Sequence, residues 1–284
     1  EMKIPMLDRA VYFGDGCYDA TTFAHNHIFA VKDHVDRFYN SCRMLEIPFD
    51  MPRETLVNEL QKCIDANEID HGMLYWQCSR GTALRAHNFP PADVTPNLMI
   101  FTVPCELVPM DSTFKLISME DTRFLHCNIK TLNLIPSVIA YQRCTEAGCQ
   151  ETVFHRGERV TECAHSNVLM IKDGVLCTPP RDNLILPGIT LKHLLELAEA
   201  NGIPTREAVF TMDELRAADE VIAPLIGVIV LVVLKADRIE NQVVMNVVFV
   251  YVGGEDKFIF AAQDLPRQLH ADPVGFLRRN LPRF

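Results

Sequence analysis

No lysine- or arginine-rich run occurs in this chain of 284 residues, and its formal net charge is −10. General attraction to phosphate backbones or anionic lipid is therefore excluded, and neither nucleic acid nor a membrane is an expected partner. No unbroken apolar run reaches the ~18 residues that a spanning helix needs. The longest, VIAPLIGVIVLVVL at 221–234, is interrupted by Pro224 and Gly227, and the opening EMKIPMLDRA has no apolar signal core. None of the ten cysteines forms a C-x-x-C pair. The chain is also too long for a disulfide-stapled miniprotein, so the cysteines are read as reduced thiols of a cytoplasmic protein, and no metal ligand set is assigned. From Met212 to Phe284 there is no serine, threonine or cysteine, although all three recur before that point. Nothing in the sequence explains that break.

What is present is a large apolar fraction, 48%, enough for a sizeable core in one large or two moderate domains. Val35, Phe38, Cys42 and Leu45 recur at helical spacing over 33–45, as do Leu56, Leu60 and Ile64 over 53–65. HIFAV (27–31), MLYWQCSR (73–80) and NLMIFTV (97–103) read as strands, so the first domain, 1–106, is expected to be a small α+β unit. PCELVPMDST (104–113) reads as a linker. In the larger second domain, 107–284, FKLISME, ETVFHRGERVTE and NVLMIKDGVLCTPP read as strands, the last with an Asp173-Gly174 hairpin. GITLKHLLELAEANG reads as a helix with Thr190 as N-cap and Gly202 as stop, and TMDE (211–214) as a capping box.

The stretch NIKTLNLIPSVIAYQ (128–142) is unusual in its charge. Between Arg123 and Arg143 the only charged side chain, His126 apart, is Lys130. That isolation points to a partly buried amine. Burial disfavours the ammonium form and leaves a neutral amine able to attack a carbonyl. The plainer reading is a lysine whose stem packs on apolar surface while its head reaches water.

Four further stretches supply what a reactive lysine needs. FGDGCYDATTF (13–23) is a glycine-rich turn entering a strand and is followed by Arg37 in the first helix. Arg37 has the fork geometry to clamp a phosphate, or is a solvated arginine paired with Asp33 or Asp36. RGTALRAHNFP (80–90) sets Arg85 and His87 two apart, on one side of an extended segment, where they can hold a carboxylate or belong to an ordinary polar loop. RVTECAHSNVLMI (159–171) offers Glu162, able to keep a heterocyclic nitrogen protonated or serving as a turn acid. NLILPGIT (183–190) delivers the exposed amides of a helix N-terminus, an anion site by geometry.

In order and spacing, FGDGCYD, HVDRFYNS, IKTLNLIPSVIA, VTECAHSNVLMIKDGVLCTPP and NLILPGIT resemble the fold-type IV pyridoxal-phosphate enzymes, the branched-chain and D-amino-acid aminotransferase family, from about residue 12 to residue 222. The resemblance implies a two-domain fold and pyridoxal 5'-phosphate as cofactor. It further implies that Lys130 forms the Schiff base with that cofactor, that Glu162 contacts its pyridine nitrogen, and that Arg37, Ile189 and Thr190 bind its phosphate. RGTALRAH looks like the carboxylate trap of D-amino-acid aminotransferases, in which Arg85 and His87 act with Tyr18 and are supplied by the partner subunit of a homodimer. The implied reaction is transamination of a D-amino acid, D-alanine with 2-oxoglutarate. The alternatives are an aminodeoxychorismate lyase, a branched-chain aminotransferase, or a non-catalytic binding protein on the same scaffold. The chain departs from the family pattern at Asp19, where glutamate is more usual, and at Cys163, Ala164 and His165. It also has APLIGVIVLVV where relatives place the hydroxyls that close the phosphate cup, and it lacks the strand that usually precedes the glycine turn. A shortened N-terminus and an incomplete cup are the resulting expectations.

Overall fold

The structure, a computed structural model, describes residues 3–67, 69–105 and 115–224, and the backbones of 113–114, 229–233, 238–239 and 242–250. By contacts the chain divides into residues 1–107 with 126–135, and residues 108–125 with 136–284.

In the first unit, Asp8 caps a short helix α1 (Arg9–Phe13) by accepting from the Ala10 amide, and Gly14 ends it in the left-handed region that glycine tolerates, at φ 62°. Strands β1 (Gly16–Ala24) and β2 (His27–Ile28) follow, then helices α2 (Val31–Met44) and α3 (Arg53–Asp65), then strands β3 (His71–Ser79) and β4 (Asn97–Pro104). The strands form an antiparallel sheet in the order β2-β1-β3-β4. The strand expected over 27–31 stops at Ile28. Phe29 returns its amide to Thr22, Ala30 turns left-handed at φ 45°, and the helix begins at Val31.

Successive side chains of a strand face opposite ways, and β3 shows the result. Leu74, Trp76 and Cys78 are buried against Phe38 and Cys42 of α2 and Leu56 and Leu60 of α3. Each fully buried large side chain contributes about 1.5–3 kcal/mol. The other face carries an aromatic row, with Tyr18 stacked on Tyr75 at 5.3 Å and Tyr75 on Phe101 at 4.7 Å.

The second unit contains β5 (Thr113–Glu120), α4 (Ile135–Glu146), β6 (Glu151–Arg156), β7 (Arg159–Cys163), β8 (Leu169–Lys172), β9 (Val175–Thr178), α5 (Ile189–Ala200), β10 (Thr205–Glu207), α6 (Met212–Arg216) and β11 (Glu220–Ile222). After these come β12 (Ile229–Val233), β13 (Arg238–Ile239) and β14 (Gln242–Val250). Their sheet runs β10-β9-β8-β11-β12-β14-β5-β6-β7, with β13 on β14. Leu191, Leu194 and Ala198 bury one face of α5 against Leu169, Leu176 and Ile222.

Asp173 and Gly174 both take positive φ between β8 and β9, as a two-residue hairpin with strand twist requires. Thr211 and Glu214 form both halves of the capping box. Thr190 is not the N-cap of α5. Gly188 is, with an extended backbone and no side-chain cap bond, so Thr190 lies inside the first turn. All ten cysteines are free, although Cys17 Sγ lies 3.3 Å from Cys42 Sγ. Residues 106–112, most of the expected linker, lie outside the described residues.

Candidate active site

Lys130 lies in the segment that returns to the first unit, and main-chain bonds fix it there. Its carbonyl accepts from the Tyr18 amide at 2.9 Å, its own amide donates to Ser41 Oγ at 3.3 Å, and the Leu132 amide donates to Gly16 at 3.1 Å. The side chain is 9% exposed, and its amine sits 4.2 Å from the centre of the Tyr18 ring. Among the described residues no carboxylate pairs with it. This is the geometry of an amine held over an aromatic wall, not of a lysine reaching for water.

On the helix-facing side of β1, Asp19 is completely buried. Arg37 donates to both its oxygens, Nε to Oδ2 at 2.9 Å and Nη2 to Oδ1 at 2.8 Å, and His34 Nδ1 lies 2.8 Å from Oδ1. Burial alone would raise the Asp19 carboxyl, but the Arg37 charge and these hydrogen bonds outweigh it and hold the group well below the usual carboxylate range. Burial likewise lowers His34 against the pull of Asp19. Arg37 is thus neither solvated nor paired with Asp36, whose partners are Lys32 and Arg53.

Arg85 and His87 are brought together through a third residue. The Arg85 guanidinium lies 4.9 Å from the Phe13 ring centre, and the His87 ring lies 5.1 Å from the same ring. Both side chains are exposed. Phe13 also borders a cleft of about 260 Å³ together with Arg9, Asp15, His87 and Asn133.

In the second unit, Glu162 closes β7 in a dry setting. Arg123 donates to its Oε1 at 2.5 Å, while Asn167 and the Leu186 amide donate to Oε2 at 2.9 and 3.0 Å. Burial raises its carboxyl to about 7, although Arg123 opposes the rise. Arg123 is itself held by Asp121 and lies over the Phe154 ring at 4.8 Å. Asn167 links the acid to the start of α5, since it donates to Leu186 O and its Oδ1 would meet a Cβ on Gly188 at 2.0 Å. Asn167 thus joins Glu162 to Leu186 and Gly188, the residues that lead into Ile189 and Thr190. Sequence reasoning missed Arg123, Asp121 and Arg9. Arg123 marks the edge of the charge-free run before Lys130, and that position was its only signal. Residues 225–228, with Gly227 and the expected gap in the phosphate cup, lie outside the described residues.

The amino-transferase class IV sequence profile matches residues 16–223. The chain belongs to that family. It is a pyridoxal-phosphate-dependent aminotransferase. Its relatives include the D-alanine aminotransferase of Staphylococcus aureus (strain MSSA476), 37% identical over 239 residues covering 84% of this chain and 85% of the relative. The D-alanine aminotransferase of Listeria innocua is 38% identical over 226 residues, 78% of each chain. Among solved structures, the branched-chain amino acid aminotransferase of Escherichia coli superposes with a TM-score of 0.70 at 22% identity, covering 78% of this aminotransferase and 77% of that chain. The 4-amino-4-deoxychorismate lyase of Pseudomonas aeruginosa gives 0.69 at 24% identity and 96% coverage of both. These two likenesses establish the fold, which is the fold-type IV architecture expected from the sequence.

The residues present suit the cofactor of this family. A buried amine without a carboxylate partner fits an aldehyde, a buried carboxyl titrating near neutrality fits a ring nitrogen, and a glycine-capped helix start with no side-chain cap bond fits an anion.

Proposed function

We propose that this aminotransferase acts on D-amino acids, taking the amino group of D-alanine and delivering it to 2-oxoglutarate. The observation that carries the reading is the placement of Arg85 and His87 on one ring, which presents two cation-capable side chains to a single carboxylate. The relatives named D-alanine aminotransferase, which match most of this chain, support the same substrate.

When bound, pyridoxal phosphate supplies the aldehyde that captures the amino group and the ring that takes up the electrons released at Cα. In this proposal Lys130 and Glu162 hold the two reactive parts of that group, the aldehyde carbon and the ring nitrogen. Arg37, with the amides of Ile189 and Thr190, holds its phosphate. The Lys130 amine takes the proton from the substrate Cα and returns one to the same position in the reverse half-reaction. Tyr18, Arg85 and His87 fix the α-carboxylate, and that fixes which face of Cα turns its hydrogen toward the amine. Lys130 is the base, and the Tyr18 ring walls one side of its amine.

The chain is proposed to work as a homodimer. Met6, Leu84, Ile4, Val11 and Phe89 of the first unit are 81, 79, 58, 54 and 52% exposed, an apolar set suited to burial against a second copy. Ten free thiols favour the cytoplasm. Among the described residues no helix is long and apolar enough to cross a membrane.

Borohydride treatment of the purified enzyme, followed by peptide mapping, is expected to fix the cofactor on Lys130. A label on another lysine overturns the assignment. Pyruvate release from D-alanine but not L-alanine, with 2-oxoglutarate as acceptor, supports the substrate reading, and the reverse preference refutes it.

A further inference from the structure

We infer that Arg9 is a positioning residue for the substrate-carboxylate loop, an inference that rests on the reading of Arg85 and His87 above. Residues 84–89 are exposed within one chain, so burial inside the unit does little to hold them. What shapes the loop is the segment Leu7–Phe13. The Arg9 amide donates to Gly81, the Ala83 amide donates to Leu7, and the Tyr12 hydroxyl donates to the Ala83 carbonyl at 2.7 Å. Arg9 Nη1 then donates to the carbonyl of Ala86, the residue between Arg85 and His87, at 2.9 Å. Among the described residues no other hydrogen bond ties the backbone of 84–88 to the rest of the unit. One guanidinium therefore sets the peptide from which both carboxylate-binding side chains project.

The charges are arranged to match. Arg9 is 3% exposed and donates its Nε to Asp15 at 2.7 Å, and its guanidinium lies 5.0 Å from the Phe13 ring, the ring that Arg85 and His87 also approach. Asp15 is shared by Arg9 and Arg80, so it offsets only part of the Arg9 charge and, with Arg85, leaves the cluster positive toward an incoming carboxylate. Arg80 binds the same Asp15 and lies 3.8 Å from the Phe89 ring, which fixes the far end of the loop. Arg9 touches no substrate in this arrangement. It acts through the Ala86 carbonyl.

The test compares D-alanine with D-alaninamide, which lacks the carboxylate, as the ratio of their kcat/KM values in the holoenzyme. R85A is expected to lower that ratio at least tenfold, R9Q to lower it comparably, and the double variant to lower it no further than R85A alone. R9K is expected to fall in between, because an ammonium can reach Asp15 or the Ala86 carbonyl but cannot span both. An unchanged ratio in R9Q beside a collapsed one in R85A overturns the role of Arg9. So does an equal loss on both substrates, which would mean general damage, or additive losses in the double variant. An unchanged ratio in R85A overturns the carboxylate reading itself and this inference with it. If R9Q melts far below the wild type or loses the visible absorbance of its cofactor, R9K is read instead, and a wild-type ratio there overturns the proposal.

Discussion

Replacing Glu162 with glutamine should change how the cofactor-free protein responds to pH, and the size of the change follows from the burial of that acid. The carboxyl ordinarily titrates at 4.5 and does so at about 7 in the fold, because burial penalises the anion more than Arg123 relieves it. The folded chain therefore binds more protons than the unfolded chain between those values, and stability falls as pH rises through that window. At about 1.4 kcal/mol per tenfold change in proton affinity, the full difference is about 3 kcal/mol, of which about 2.5 kcal/mol falls between pH 5 and pH 8. For a chain of this size that corresponds to roughly 5–10 °C in melting temperature. His34, which burial keeps neutral, acts in the opposite direction near its ordinary 6.5, so the measurement is the difference between wild type and E162Q. Thermal unfolding of both, without cofactor, at half-unit steps from pH 5 to pH 8, should show that difference growing with pH in favour of the glutamine variant. Loading the cofactor should remove the growth, because a protonated ring nitrogen would hold the carboxylate charged. A flat difference across the range without cofactor would refute the reasoning that Glu162 is a buried acid titrating near neutrality.

The Asp19–Arg37 pair makes a second prediction, of opposite sign. The Asp19 carboxyl lies below its ordinary 3.8 in the fold, so its contribution is present above that pH and is lost as pH falls through the folded value. Asp19→Asn should leave Arg37 buried and underpaired, cost about 3–5 kcal/mol at neutral pH, and flatten the acid limb of the stability curve, as denaturant melts would show. Gly188→Ala places a Cβ 2.0 Å from Asn167 Oδ1, a clash that displaces the asparagine linking Glu162 to the start of α5. A cofactor dissociation constant raised at least tenfold, measured by equilibrium dialysis of the pyridoxamine form, is expected, and wild-type affinity would count against an anion site at that helix start.

Much of the fold was legible because local rules act there without competition. The hairpin at Asp173-Gly174, the capping box at Thr211 and the apolar stripes of α2, α3 and α5 each follow from a few neighbouring residues. Lys130 was legible for a different reason: a single charge in a long uncharged run signals burial even when the surroundings are unknown. Thr190 was misread because hydroxyl preference at an N-cap is only a tendency. Here Asn167 fills the space beside Gly188, and the helix starts two residues earlier than a threonine cap would place it. Arg123 and Arg9 escaped notice because their partners, Glu162 and the Ala86 carbonyl, lie 39 and 77 residues away. No sequence period encodes a pairing of that kind. The return of residues 126–135 to the first unit was hidden in the same way, since only a folded strand β1 reveals what that segment pairs with.

That returning segment governs the order in which the protein can be put together. Strand β1 leaves the ribosome with the Tyr18 amide and the Gly16 carbonyl awaiting partners in residues 126–135, and the Ser41 hydroxyl awaits an amide 89 residues further along. Closing so long a loop is an entropic cost met late in folding. A chain cut after residue 107 would keep the four strands of its sheet and lack the piece that pairs with the edge of β1. The reactive amine is the closing piece of its own unit. It reaches its aromatic wall only after residues 108–125 have been made, so a half-synthesised chain carries no seated lysine with which to capture an aldehyde.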